Sequence, residues 1–415
     1  MTDAISTIWT PTRTAALHRL DEFLPRAGKD YAAHRNFDNG VNQRGNISCL
    51  SPWIRHRTIT EMEVVVAVLE QHTLADADKF VQEVFWRSYW KGWLEMRPQV
   101  WRTYRQSIDS MYNDENWLKR LEEVTGGHSG IDCIDHWCDE LVRTGYLHNH
   151  ARMWFASIWI FTLKLPWQLG ADYFMRHLLD GDAASNTLSW RWVAGLHTQG
   201  KCYLARADNI ARFTNDRFNP SHQLAGHAEP IGEEIEFERQ ALPALPDKVP
   251  TGRTGLLLTD DDLDFQSLFV DLPLESAAGF SARSQSSPGE VSVLVTHFSD
   301  NLVKEALINC DTNEQRSGAA AGLVFNTVDQ VVEWAVARCL DAVVCAYIPA
   351  GANRDVLQSL EVKLQSAGIE LIMIRKQWDE TVWPHAGKGF FVLKKKIPSL
   401  LDALIPGQAR QQPLF

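Results

Sequence analysis

The strongest constraint on how this chain can fold is a change of hydrophobic period partway along it. Up to about residue 217, apolar residues recur at spacings of three and four, which is the period of an amphipathic helix. The segments 12–25, 61–70, 76–96, 115–124, 131–144, 149–165 and 170–178 carry this pattern. Pro52, Pro98 and Pro166 punctuate helix starts or ends. Residues 218–253 then lose any period, and NPSHQLAGHAEPIGEEIEFERQALPALPDKVPTGR is rich in proline, glycine and acid. Beyond it, short apolar runs at Leu256–Thr259, Val291–Thr296, Ala342–Tyr347 and Ile369–Ile374 alternate with amphipathic stretches near 300–309, 327–339 and 352–366. That rhythm predicts a parallel sheet with crossover helices. The expected organisation is multi-domain: an all-α domain over 1–217, a linker over 218–253 and a C-terminal α/β, Rossmann-like domain over 254–415. The α/β region has neither G-x-G-x-x-G nor a P-loop, so no motif there supports nucleotide binding.

Composition excludes several classes. No apolar run reaches about 18 residues, so no membrane-spanning helix is expected. The start, MTDAISTIWTPTRTAAL, has neither the basic beginning nor the apolar stretch of a signal peptide, and a cytoplasmic protein is expected. The seven cysteines are scattered and form no C-x-x-C pair, which argues against a disulfide framework and against a metal cluster. The net charge of −11 speaks against nucleic acid at first sight. Basic and acidic residues nearly cancel up to about residue 228, however, so a basic groove remains open to that half. Most of the sixteen tryptophans also lie there.

Four segments combine chemistry-bearing residues. In EVFWRSYWKGW (83–93), Trp86, Trp90 and Trp93 share a helical face, with Glu83 one turn earlier. A core stripe explains the rings, with Arg87 and Lys91 snorkelling. A pocket wall that stacks on flat rings beside a carboxylate explains rings and charges together. In LHNHARMWFAS (147–157), Asn149, Arg152 and Met153 share a side, whereas the H-x-H pair points to opposite sides and makes a poor chelate. In HLLDGDAASNTLSWRWVAG (177–195), Asp180 and Asp182 flank a turn that can start a helix, and Asp180 is a candidate partner for Arg152. In YAAHRNFDNGVNQRGNISCLSPWIRHR (31–57), Asn46, Ser48 and Ser51 offer small polar groups near a helix start, an element that either caps a helix or receives phosphate. Arg35, Arg44, Arg55 and Arg57 make the local potential positive.

In order, these segments read Tyr31/Arg35, Ser48-Cys49-Leu50-Ser51-Pro52, Glu83/Trp86/Arg87, His148/Asn149/Arg152/Met153, Asp180/Asp182/Asn186 and Trp190/Trp192. That series resembles the FAD-binding domain of the photolyase/cryptochrome family over about residues 10–217. The resemblance implies FAD as cofactor. It implies that Tyr31, Ile47, Ser48, Cys49, Leu50, Ser51 and Arg87 hold its pyrophosphate and ribose, and that Asn149, Arg152, Asp180 and Asp182 surround the flavin and ribityl groups. Asn186 is implied to face flavin N5. The resemblance further implies a DNA lesion pocket of the cyclobutane-dimer type, formed by Arg35, Glu83, Trp86, Asn149, His150, Met153 and Trp192. There Glu83 serves the thymine carbonyls, and Trp86 and Trp192 pack on flipped bases. Trp190 and Trp167 match the proximal and middle members of the family's electron-transfer chain; Trp101 is the candidate distal member, with Trp117 as the alternative.

The implied activity is light-driven electron-transfer repair of cyclobutane pyrimidine dimers, a photo-lyase reaction on single- or double-stranded DNA. The other class is a cryptochrome-like photoreceptor that signals through a protein partner. Three departures stand out. His150 replaces an arginine that meets DNA phosphate, which implies DNA affinity that is either weakened or pH-dependent. Thr187, Leu188 and Ser189 stand where glycines are usual, and Ile47 replaces a threonine. The domain order is also reversed: the closing stretch GKGFFVLKKKIPSLL (387–401) resembles the end of the family's antenna domain, so a permuted antenna domain is expected, with no antenna-chromophore motif readable.

Overall fold

The structure, a computed structural model, describes residues 9–232, 235–245, 249–267, 273–312 and 323–406. Through residue 213 the chain is helical. Its helices include Glu61–Gln71, Leu74–Glu95, Pro98–Met111, Asp132–Thr144, Trp167–His177 and Ala183–Val193. Local chemistry fixes their starts. Thr60 and Glu63 form a reciprocal capping box, Thr73 caps Leu74–Glu95, and Asp182 caps Ala183–Val193. Gly145 ends Asp132–Thr144 at φ 68°, where a Cβ would also meet Leu179 Cγ at 2.7 Å. The helix Asn149–Ser157 runs on into a π-helical turn, Ile158–Thr162.

The later part builds one sheet from β1 (Thr254–Thr259), β2 (Leu274–Phe280), β3 (Val324–Phe325), β4 (Ala342–Ala346) and β5 (Glu370–Ile374). All pairings are parallel and the order is β3-β2-β1-β4-β5, a doubly wound arrangement. Residues alternate between faces with the period of a strand. Leu256, Leu258, Ala277, Val344 and Ile372 join an apolar cluster that runs through the helical part. Leu257, Ala278, Phe280, Val343 and Cys345 join a second cluster under the sheet's own helices. The two parts therefore share a core.

Two expectations need correction. Val291–Thr296 is not a strand: it leads into the helix Val293–Thr312. Its β-branched residues are continuous with Phe298, Leu302, Val303, Ala306 and Leu307, a buried helical face that overrides strand propensity. The true second strand, LESAAGF, is made of small residues because that helix lies close on it; a Cβ on Gly279 would meet Val303 Cγ1 at 2.3 Å. The helix Pro98–Met111 was also not separately expected. It buries Val100, Trp101, Tyr104 and Ile108.

The chain ends by returning to the helical part. The helices Gln377–Val382, Phe390–Lys394 and Ile397–Leu404 follow β5. Trp378 donates to Ser88 Oγ at 2.7 Å and packs on Phe85, and Gly92 allows the close approach of Trp383. Among the described residues no helix is long and apolar enough to cross a membrane, and no group of three metal-ligating side chains occurs.

Candidate functional site

The helix Leu74–Glu95 carries three groups on adjoining sides. Glu83 forms an ion pair with Arg35 Nη1, and both side chains are about a third open to water (34% and 27%). Tyr31 is buried beside them, edge-on to Phe23 and Phe80. Burial pushes the Glu83 carboxyl up, and the opposing pull of Arg35 does not cancel the rise. Arg87 and Lys91 lie on the next side, with Arg87 Nη2 3.6 Å and Lys91 Nζ 3.5 Å from Asp182 Oδ2. Burial raises the Asp182 carboxyl, but Lys91, Arg87 and Arg55 outweigh it and hold it far below the usual carboxylate range. Asp182 Oδ1 meanwhile accepts from Ser185 N at 2.8 Å, so one carboxylate both caps a helix and neutralises two cations.

The expected Arg152–Asp180 pair is present: Nη2 donates to Oδ2 at 2.9 Å. Arg152 also donates to the Leu147 carbonyl and lies over the Tyr146 ring, 5.1 Å from its centroid. Asp180 Oδ1 is buried and has no hydrogen-bond partner. Asn186 is buried and donates its amide nitrogen to the Ala171 carbonyl at 2.7 Å. A carbonyl only accepts, so the amide orientation is fixed and Oδ1 is left as an acceptor. Arg44 Nε and Nη1 are likewise buried without partners. The unpartnered Asp180 oxygen beside a bound guanidinium, with the Asn186 amide oxygen oriented as an acceptor, suits a ring system that presents N–H donors, so these residues fit a flavin.

The phosphate-receiving element is weaker than its sequence suggested. The helix after Ser48 spans only Ser51–Arg55, and Ile47, Cys49 and Leu50 are buried in the core. Ser48 and Ser51 are half-buried, and Ser48 Oγ accepts from Leu50 N at 3.4 Å. The expected positive potential is also corrected. Arg35 pairs with Glu83, Arg44 with Glu140, Arg55 with Asp260 and Asp261, and Arg57 with Glu61, Asp262 and Asp379. Those last aspartates come from the α/β part, which no local reading of 31–57 takes into account.

His150 departs from the role expected of it. Its Nδ1 donates to the Asn36 carbonyl at 2.9 Å, and its ring packs on Trp154 and Phe213. Burial lowers its pKa, so it is neutral near pH 7 and offers no charge to a phosphate. His148 caps its helix through Nδ1 and holds the Arg35 carbonyl through Nε2. Asn149 is exposed, and Met153 and Trp192 are half-buried, with Trp192 stacked on Tyr203. Trp86 does not have both ring faces free. Phe390, from the end of the chain, is stacked on it with centroids 3.7 Å apart and planes at 13°.

Trp190 is buried against Phe174 and Trp159. Trp167 stacks on Tyr104 at 5.7 Å, and Tyr104 lies 5.4 Å from Trp101. The sequence reading missed Tyr104, although its place on the apolar face of Pro98–Met111 was readable. Trp101 is only 2% exposed, which is unlike a surface terminus, and its indole donates to Asp355 Oδ2 of the α/β part at 2.8 Å. Trp117 is half-buried on the separate helix Glu115–Thr125.

Comparison with known proteins finds a family likeness in the sequence. Residues 80–244 match the family described as the FAD binding domain of DNA photolyase. Over that stretch the chain is similar to the photolyase/cryptochrome family. A deoxyribodipyrimidine photo-lyase of Synechococcus sp. is 29% identical over 243 residues, 54% of this chain and 49% of that protein. One from Agrobacterium fabrum is 33% identical over 195 residues, 46% of this chain and 40% of that protein. A solved bacterial class III photolyase from Agrobacterium tumefaciens is 29% identical and superposes with a TM-score of 0.44, covering 52% of this chain and 45% of that one. The chain thus spans about half the length, or less, of the curated relatives it matches.

Proposed function

We propose that this protein binds FAD in its helical part and uses light to repair cyclobutane pyrimidine dimers in DNA. The observation that carries the reading is the arrangement of the Arg152–Asp180 pair and the Asn186 acceptor, with Glu83 and Arg35 forming a half-open ion pair on a neighbouring helix. Bound FAD would supply the light absorption and the one-electron chemistry. Asp180 would hold the flavin edge through its unpartnered oxygen and Asn186 through its amide oxygen, and an acceptor at Asn186 favours the protonated, reduced ring. Glu83 would present its carboxyl to a thymine carbonyl. Burial raises its pKa, which increases the protonated fraction that can donate. A lesion must first draw Glu83 from Arg35, and the pair's exposure makes that exchange inexpensive.

The boundaries 1–217, 218–253 and 254–415 are kept as the domain reading, with the last unit as a permuted antenna-like domain. The strand order β3-β2-β1-β4-β5 supports it. Among the described residues no cysteine is in a disulfide, and a cytoplasmic setting is kept as part of this reading. A photoreceptor reading draws on a different observation: the series Trp167, Tyr104, Trp101 ends on Asp355 of the α/β part, where oxidation of the helical part would be felt. The test is blue-light repair of UV-irradiated oligonucleotides by flavin-loaded protein. Loss of dimers supports repair. Flavin photoreduction without loss of dimers favours the receptor.

A further inference from the structure

The end of the chain brings an unusual surface to the side of the Glu83 helix. Phe390 is buried with its ring flat on Trp86, one turn from Glu83. Its neighbour Phe391 is 71% exposed and Val392 44% exposed, beside Lys388, Lys395 and Lys396 on the surface. Lys394 Nζ lies 3.8 Å from Asp78 Oδ2, so this helix runs back along Leu74–Glu95 towards its start. There the exposed Lys79 adds its charge and acts on Glu83. In a chain with a net charge of −11, a lysine-rich strip with an open aromatic ring is a local exception. It adjoins Glu83, whose carboxylate water still reaches.

We propose that residues 388–396 form a second half of the nucleic-acid surface. Lys388 and Lys395 would take phosphates of a single strand, and Phe391 a base, beside the mouth at Glu83. This rests on DNA being the partner, and it deepens that reading by assigning part of the site to the α/β half. The occupant is a phosphodiester strand because the strip combines several exposed lysines with one exposed flat ring. An anionic lipid surface would want a broader apolar face than Phe391 and Val392 give. Phe390 is a positioning residue: its stacking on Trp86 fixes the plane of that indole.

The experiment is fluorescence anisotropy of the full-length protein with a labelled, undamaged oligothymidylate at several salt concentrations, next to vesicles containing phosphatidylglycerol. Both substitutions of the double variant Lys388→Glu/Lys395→Glu are exposed, and its melting curve should match wild type. The double variant is expected to bind the strand at least about tenfold more weakly, with a salt slope smaller by about two. Phe391→Ser should weaken binding with the slope unchanged. Wild-type affinity and slope in the double variant would overturn the proposal, as would a loss confined to vesicles. The repair reading fails separately, if wild type leaves dimers intact under blue light while still binding the strand.

Discussion

Arg35 and Arg57 lie in one basic stretch and end in opposite situations. Arg35 meets Glu83 in a pair that water still reaches. Arg57 is buried with Glu61, Asp262 and Asp379, the last two supplied by the α/β part. Burial opposes the Arg57 charge, but the three carboxylates hold its pKa well above the ordinary value. The comparison separates an ion pair that can exchange partners from one that fastens two parts of a chain. The first is where a substrate can compete. The second is structural.

The largest effect should come from breaking the buried cluster. Arg57→Ala leaves three buried carboxylates without their shared cation and is expected to cost about 3–5 kcal/mol, read by urea denaturation. A loss below about 1 kcal/mol would show that water enters the junction. Glu83→Gln should do the reverse: stability changes by less than about 1 kcal/mol, while light-driven repair falls at least about tenfold. Equal repair by the variant would remove Glu83 from the chemistry.

Tyr104→Leu removes the ring between Trp167 and Trp101, and flash photolysis of flavin-loaded protein should show slower, less complete tryptophan oxidation. Unchanged kinetics would mean that Tyr104 merely packs. The smallest effect is on acid stability. Burial raises the Glu61 carboxyl, yet Arg57, Arg87 and Lys91 hold it down to about 2 against an ordinary 4.5. A depressed carboxyl contributes stability that is complete above 4.5 and is lost as pH falls towards 2. Wild type should therefore lose stability across that window, and Glu61→Gln should flatten the decline.

The sequence made the helical part legible because its signals are local. Periodicity located most of its helices, though not Pro98–Met111, and the need of a buried charge for a partner, with the family resemblance, anticipated the Arg152–Asp180 pair seen at 2.9 Å. It failed where distant residues decide. LESAAGF carries little strand signal because a close helix demands small side chains there. The arginines at 55 and 57 read as a positive surface because their aspartate partners, Asp260, Asp261, Asp262 and Asp379, lie more than 200 residues away. Phe390 is one aromatic in a basic run until the fold sets it on Trp86.

The central claim is tested most directly with purified, flavin-loaded protein and an oligonucleotide carrying one thymine dimer. Loss of the dimer is followed under blue light and in the dark, for wild type and Glu83→Gln. The account predicts loss in light only, strongly reduced in the variant. A protein that cannot be loaded with FAD, or that leaves the dimer intact in light, would contradict it.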